Sequence, residues 1–236
     1  LGGALAEGIA EAGAAVVVAG RSAERGIPRV QAIEALGGTA IFATVDACDK
    51  ASLASLLATT LDRYGRCDML VNCAGVNAAD PYFDIREKDF DRVLDTNLKA
   101  THFACQVFGQ HMAEAADGGA ILNIGSVSAH LPLSRVYAYS ASKAAVLNLT
   151  KNVARELAPL GVRVNSLCPG FFPAAQNRKI LTAERVARIM GKTPMGRFGE
   201  PPELVGAALL LLSRTAGSFI TGTEIYVDGG FTGMSI

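Results

Sequence analysis

The sequence predicts an α/β fold, a doubly wound parallel sheet with helices on both faces. Three observations carry this. At 236 residues the chain is long enough for one such domain with a buried core. Short apolar segments alternate with longer helical ones. Chemistry-bearing side chains fall at the ends of the short segments, and open α/β sheets place their ligands at the carboxyl ends of strands.

Each element follows from its residues. Leu1-Gly2-Gly3 leads into a small-residue helix over 4–12, and 14–19 reads as a buried strand. Gly20-Arg21-Ser22 is a turn. A helix over 23–36 is stopped by Gly37-Gly38. The strand over 39–45 ends in Asp46-Ala47, and another helix begins near Asp49. Residues 68–75 form a strand running into a small-residue turn, and 86–115 a long amphipathic helix. Strands over 121–126 and 161–168 flank a helix over 140–158. Thr193 to Pro201 stops a helix, and Pro201-Pro202 starts the next. The last strand spans 224–230. No repeat, low-complexity tract or composition break marks a second domain.

The stretch 137–143, Tyr-Ala-Tyr-Ser-Ala-Ser-Lys, carries the chemistry. On a helix, Tyr139 and Lys143 lie one turn apart on one face. An ammonium beside a phenol favours the phenolate, so Tyr139 is expected to titrate below its usual range and to exchange a proton with an alcohol or carbonyl. Alone, the pair reads first as an ordinary helix surface. Ser126 stands thirteen positions earlier at a strand end, and Asn97 lies further upstream. Asn97, Ser126, Tyr139 and Lys143, in this order and spacing, resemble the catalytic tetrad of the classical short-chain dehydrogenases/reductases, and the likeness runs from Leu1 to the C-terminus.

That resemblance implies one Rossmann-like NAD(P)-binding oxidoreductase domain over 1–236, with a substrate loop at about 171–199. In the family a first strand and a T-G-x-x-x-G-x-G turn precede this point. Gly2 fits the last glycine, and the rest is expected to lie outside the given sequence; a chain without that strand would show two unpaired strand edges. Cofactor contacts are implied for Gly2, Asp46, Ala47, Asn72, Ala74, Gly75, Tyr139, Lys143, Pro169, Gly170 and Phe172. Asp46 is read equally as a cap for the following helix. Asn72-Cys73-Ala74-Gly75 resembles the N-N-A-G motif, with Cys73 for the second Asn. Arg21, in place of an acidic strand end, suits a ribose phosphate, and Ser22 adds a hydroxyl. NADP(H) is therefore favoured, with NAD(H) possible and Arg21 as a solvated side chain the alternative.

On the substrate side stand Ser128, Arg135, Phe171, Gln176, Asn177 and Arg178. Arg135 is a candidate carboxylate ligand, or a solvated or subunit-contact arginine. The run from Pro169 to Arg178, with 193–201, resembles the D-mannonate oxidoreductase (fructuronate reductase) branch. Many relatives carry a Thr where Ala174 stands. The resemblance implies hydride exchange with a sugar acid or polyhydroxy ketone, in a homodimer or homotetramer. A reductase of 3-oxoacyl thioesters or steroids, and a non-catalytic cofactor-binding protein, are the alternatives.

Composition limits other classes. The formal net charge is zero, unlike a nucleic-acid-binding surface. The apolar run 204–212 is too short to span a bilayer. Five cysteines without C-x-x-C spacing read as free thiols of a reducing cytoplasm, and the three histidines form no metal pair.

Overall fold

Apolar β-branched runs become parallel strands, and the small-residue and amphipathic stretches between them become helices. The computed structural model describes residues 1–172 and 181–234. Helix α1 (Gly2–Glu11) leads into β1 (Ala15–Gly20) and α2 (Ala23–Ala35), and the chain leaves α2 through Gly37 at φ 83°. Strand β2 (Thr39–Thr44) precedes α3 (Lys50–Tyr64). The cap of α3 is Asp49, which accepts from the Ala51 N–H at 3.0 Å, so Asp46 is not needed for that task. Then come β3 (Met69–Asn72), α4 (Glu87–Leu94) and α5 (Ala100–Glu114). Strand β4 (Gly119–Ile124), α6 (Tyr137–Leu157) and β5 (Val162–Pro169) follow. Last are α7 (Ala183–Lys192), α8 (Val205–Leu212) and β6 (Glu224–Val227).

All described strand pairs are parallel, in the orders β1–β2 and β3–β4–β5–β6. Among the described residues β1 and β3 each keep one unpaired edge, as the sequence reading anticipated. The core is nevertheless shared, because Val16 of β1 and Val71 of β3 pack against the same cluster. Alternation along β4 shows why helices cover both faces. Ile121 packs with Leu53, Phe108 and Met112 of α3 and α5. Leu122 and Ile124 turn the other way, onto Leu5 and Ile9 of α1 and Leu211 of α8. Arg163 of β5 closes the far end of α8 by donating to the Leu211 carbonyl at 2.7 Å and the Ser213 carbonyl at 3.0 Å.

Two elements differ from the sequence reading. The helix expected over 86–115 is broken by a π turn at Asp95–Lys99, between α4 and α5. The region read as loop over 171–199 contains α7, capped by Thr182, whose hydroxyl accepts from the Arg185 N–H at 3.2 Å. Among the described residues no helix is long and apolar enough to cross a membrane.

Candidate active site

Strand ends and two helices bring the tetrad side chains together. Beyond β4, the Gly125 N–H donates to the Leu167 carbonyl of β5 at 2.8 Å, which fixes where Ser126 emerges. Ser126 has an extended backbone and caps the short turn Val127–Ala129. Its Oγ accepts from the Ser128 N–H at 3.2 Å and the Ser128 hydroxyl at 3.0 Å, and it faces the Tyr139 phenol. Lys143 follows one turn along α6, its Nζ 5.7 Å from the centre of the Tyr139 ring. That ammonium is only 4% exposed and donates to the Ile124 carbonyl at 2.7 Å.

Asn97 is fully buried in the π turn. Its Oδ1 accepts from the Val76 N–H at 2.8 Å. Its Nδ2 donates to the Val76 carbonyl at 3.0 Å and to the Ser142 hydroxyl at 3.0 Å. A π turn widens the helix by one residue, and such bulges cluster at functional sites. Here the widening coincides with an amide that ties α6 to the loop beyond β3.

The electrostatics correct one expectation. Burial raises the Tyr139 phenol above its ordinary value, and the Ser126 hydroxyl is the group that works downward. Lys143 does not lead that effect in this structure: its ammonium is turned to Ile124. Burial also depresses Lys143 itself, from 10.5 to about 8.

Around this centre the structure gathers part of the expected cofactor set. Gly2 opens α1, its N–H against the Cys73 thiol at the end of β3. A helix N-terminus there suits a phosphate. Gly75 lies over the tetrad: a Cβ on it would stand 3.5 Å from Asn97 Oδ1 and 3.8 Å from Lys143 Nζ. Gly170 must be glycine, because a Cβ would come within 2.7 Å of Asp228 Cα. Ala74 is exposed beside them, and Pro169 ends β5. Arg21 is exposed and has no ion-pair partner among the described residues; Ser22 precedes α2 without its side chain capping it. Asp46 turns its carboxylate to the Cys48 N–H at 3.0 Å, with Ala47 half-buried between them. Asn72 bonds strand to strand, donating to Asn123 Oδ1 at 2.9 Å. Asn123 donates on to Thr150 of α6 at 2.9 Å. These glycines and the free basic turn fit a dinucleotide lying across the strand ends.

The family model described as enoyl-(acyl carrier protein) reductase matches residues 1–232. The chain belongs to the short-chain dehydrogenase/reductase family. It is therefore an oxidoreductase of that family, as its tetrad implied. The gluconate 5-dehydrogenase of Gluconobacter oxydans is 37% identical over 233 residues, covering 98% of this chain and 90% of that one. A gluconate 5-dehydrogenase from Burkholderia cenocepacia, solved with NADP and tartrate, is 33% identical with a TM-score of 0.92 over 98% of this chain and 91% of its own. A candidate D-mannonate oxidoreductase from Haemophilus influenza, solved with NAD, is 29% identical with a TM-score of 0.92, covering 99% and 91%.

Two predicted residues have further work. The Ser128 hydroxyl donates to Ser126 and so supports that side chain, keeping only its lone pairs for a substrate donor. Phe172 is 6% exposed and its ring packs where Gly199 leaves room, so its side chain belongs to the core rather than to a cofactor. Phe171 meets Phe231 edge-on at 5.1 Å, a hydrophobic wall. Arg135 is exposed and adopts φ 64°, a strained backbone for a non-glycine residue. Gln176, Asn177 and Arg178, with Ala174, lie outside the described residues. Sequence reasoning missed Ser142, Asn123 and Thr150, whose polar atoms complete the buried network; a polar residue on the apolar face of a strand or helix was the available signal.

Proposed function

We propose that this protein interconverts a secondary alcohol and a ketone by hydride exchange with NADP(H), or less preferentially NAD(H), acting on a sugar acid or related polyhydroxy acid. The observation that carries the reaction type is the grouping of Ser126 at the end of β4 with Tyr139 and the buried Lys143 one turn along α6. A bound nicotinamide accepts or supplies the hydride. Tyr139 gives its proton to the developing alkoxide, or takes it from the alcohol in reverse. Ser126 donates to the substrate oxygen where negative charge grows. Lys143 supplies a buried positive charge, and family resemblance gives it the nicotinamide ribose. Asn97 holds the Val76 backbone and α6 in register beside Lys143, where the family relays protons through water.

Arg21, exposed at the turn after β1, supports the phosphorylated cofactor. The sugar-acid reading rests on the relatives named above and on Arg135, exposed on the loop between Ser126 and Tyr139. The same loop and strand ends would serve a 3-oxoacyl thioester reductase, and a 3-oxoacyl-(acyl-carrier-protein) reductase of Chlamydia pneumoniae is 32% identical over 222 residues. The α5 and α6 faces, used for subunit contact in many family members, favour a dimer or tetramer in the cytoplasm.

Absorbance of the reduced nicotinamide separates these readings. The panel is D-fructuronate, 5-ketogluconate, a neutral ketose and an acetoacetyl thioester, each with NADPH and NADH. Turnover of a keto acid with NADPH is expected. Turnover of only the thioester or the neutral ketose would overturn the substrate reading, and NADH alone would overturn the role given to Arg21.

A further inference from the structure

One carboxylate lies behind the catalytic loop and joins the elements that carry the tetrad. Glu224, at the start of β6, has a side chain only 12% exposed. Its Oε2 meets His130 Nε2 at 2.8 Å and accepts from the Tyr226 hydroxyl at 2.8 Å. Its Oε1 lies 2.7 Å from Lys151 Nζ. Each partner stands on a different part of the site. His130 ends the turn that Ser126 caps, its N–H donating to the Val127 carbonyl at 3.3 Å. Lys151 is two turns beyond Lys143 on α6. Tyr226 lies opposite Cys168 in the β5–β6 register, and the Cys168 sulfur lies against Gly125, the neighbour of Ser126.

We propose that Glu224 is a positioning residue for Ser126, holding the β4–α6 loop through His130 against α6 through Lys151 and against β5 through Tyr226. This rests on the proposed role of Ser126 toward Tyr139 and substrate. A buried carboxylate with a single partner would be a poor structural choice, because desolvation is only repaid by good geometry and several partners. Burial does work against the ionised form of Glu224, and Lys151, His130 and Tyr226 outweigh it and hold the group at about 2. It is therefore a fixed charge throughout the working pH range. Releasing it removes the only polar tie of the His130 ring among the described residues, and the turn carrying Ser126 loses its anchor to β6. Ser126 is in turn the hydroxyl that draws the Tyr139 phenol downward. The other titratable groups facing Tyr139 are Lys143 on α6, Cys73 at the end of β3 and Cys168 on β5.

The test follows Tyr139, not only rate. Glu224→Ala is expected to lower kcat about tenfold, the scale of a misplaced hydrogen-bond donor, with the KM for nicotinamide within about twofold. The acid limb of alcohol oxidation, which reports Tyr139, should move upward by roughly half a pH unit. Glu224→Gln, which keeps a partner for Tyr226 but loses the charge facing Lys151 and His130, should fall between the two. An NMR titration of the tyrosine ζ-carbons, with Tyr139 assigned by Tyr139→Phe, reads the same shift without any substrate. A limb and a Tyr139 resonance that titrate as in the parent protein would overturn the proposal, whatever happens to stability. Should Glu224→Ala fail to fold, His130→Ala removes a half-exposed partner and must show the same displacement, or the proposal is overturned. A parent protein that reduces no carbonyl would defeat the functional reading, while the NMR titration would still decide the role of Glu224.

Discussion

Burying the Lys143 ammonium makes part of the active centre a burden on the fold. The group falls from 10.5 to about 8 because burial disfavours its charged form. Below pH 8 it is charged in both folded and unfolded chains, and the fold carries the whole penalty, on the order of 3 kcal/mol. Between pH 8 and 10.5 the native state releases the proton first, the unfolded state binds more protons, and this contribution to stability rises. Lys143→Met removes the penalty together with the bond to Ile124, whose loss costs about 1–3 kcal/mol independently of pH. The expected result, from thermal unfolding of both proteins across that range, is a stability difference that shifts in favour of the parent as pH climbs from 8 to 10.5. The cysteines and Tyr139 titrate in both proteins and largely cancel. A difference that does not change with pH would show that Lys143 is solvated in solution.

The π turn at Asp95–Lys99 and the strand-end loops show how elements are fastened to one another. Asn97 satisfies both backbone groups of Val76 and the Ser142 hydroxyl. Asn97→Ala leaves these buried groups without partners, and a loss of about 2–4 kcal/mol is expected from urea unfolding. Asn97→Asp keeps the acceptor for the Val76 N–H and should cost less than Asn97→Ala; a loss near zero for Ala would mean that water replaces the amide. Much at this scale was legible in the sequence. The apolar runs and glycine stops set α2, β2, β4 and β5 within one or two residues of their observed ends. The family resemblance implied that Asn97 disturbs the helix over 86–115, but not that the disturbance is a π turn, because that depends on what its side chains find across the fold, and Asn97 finds Val76 and Ser142. The helix α7 was hidden behind the expectation of a loop over a substrate. Asp46 and Asp49 were interchangeable as caps by composition, and hydrogen-bond geometry chose Asp49.

Across the whole molecule, one arrangement recurs: helices on both faces of parallel strands, with the strand ends at one edge carrying Asn72, Ser126 and Gly170. The order of Asn97, Ser126, Tyr139 and Lys143 along the chain made their proposed grouping readable, because spacing within a turn and a helix is local. Contacts between distant segments were not readable. Glu224 meets His130 across ninety-four positions, and the bond from Ser128 to Ser126 needed a fold to be seen. Reaction type therefore stands on local sequence and observed geometry, while the proposed substrate class rests on the sugar-acid relatives and on an exposed Arg135. The measurement that tests the centre most directly is hydride exchange by Tyr139→Phe, alongside its cofactor affinity from nicotinamide fluorescence. Removing one phenolic oxygen is expected to cut kcat by at least about a thousandfold, since the residue is both proton donor and base, while the Kd for NADPH stays within about threefold. A variant that retains turnover within tenfold, with the same cofactor affinity, would contradict the role given to Tyr139 and with it the chemistry assigned to Ser126 and Lys143.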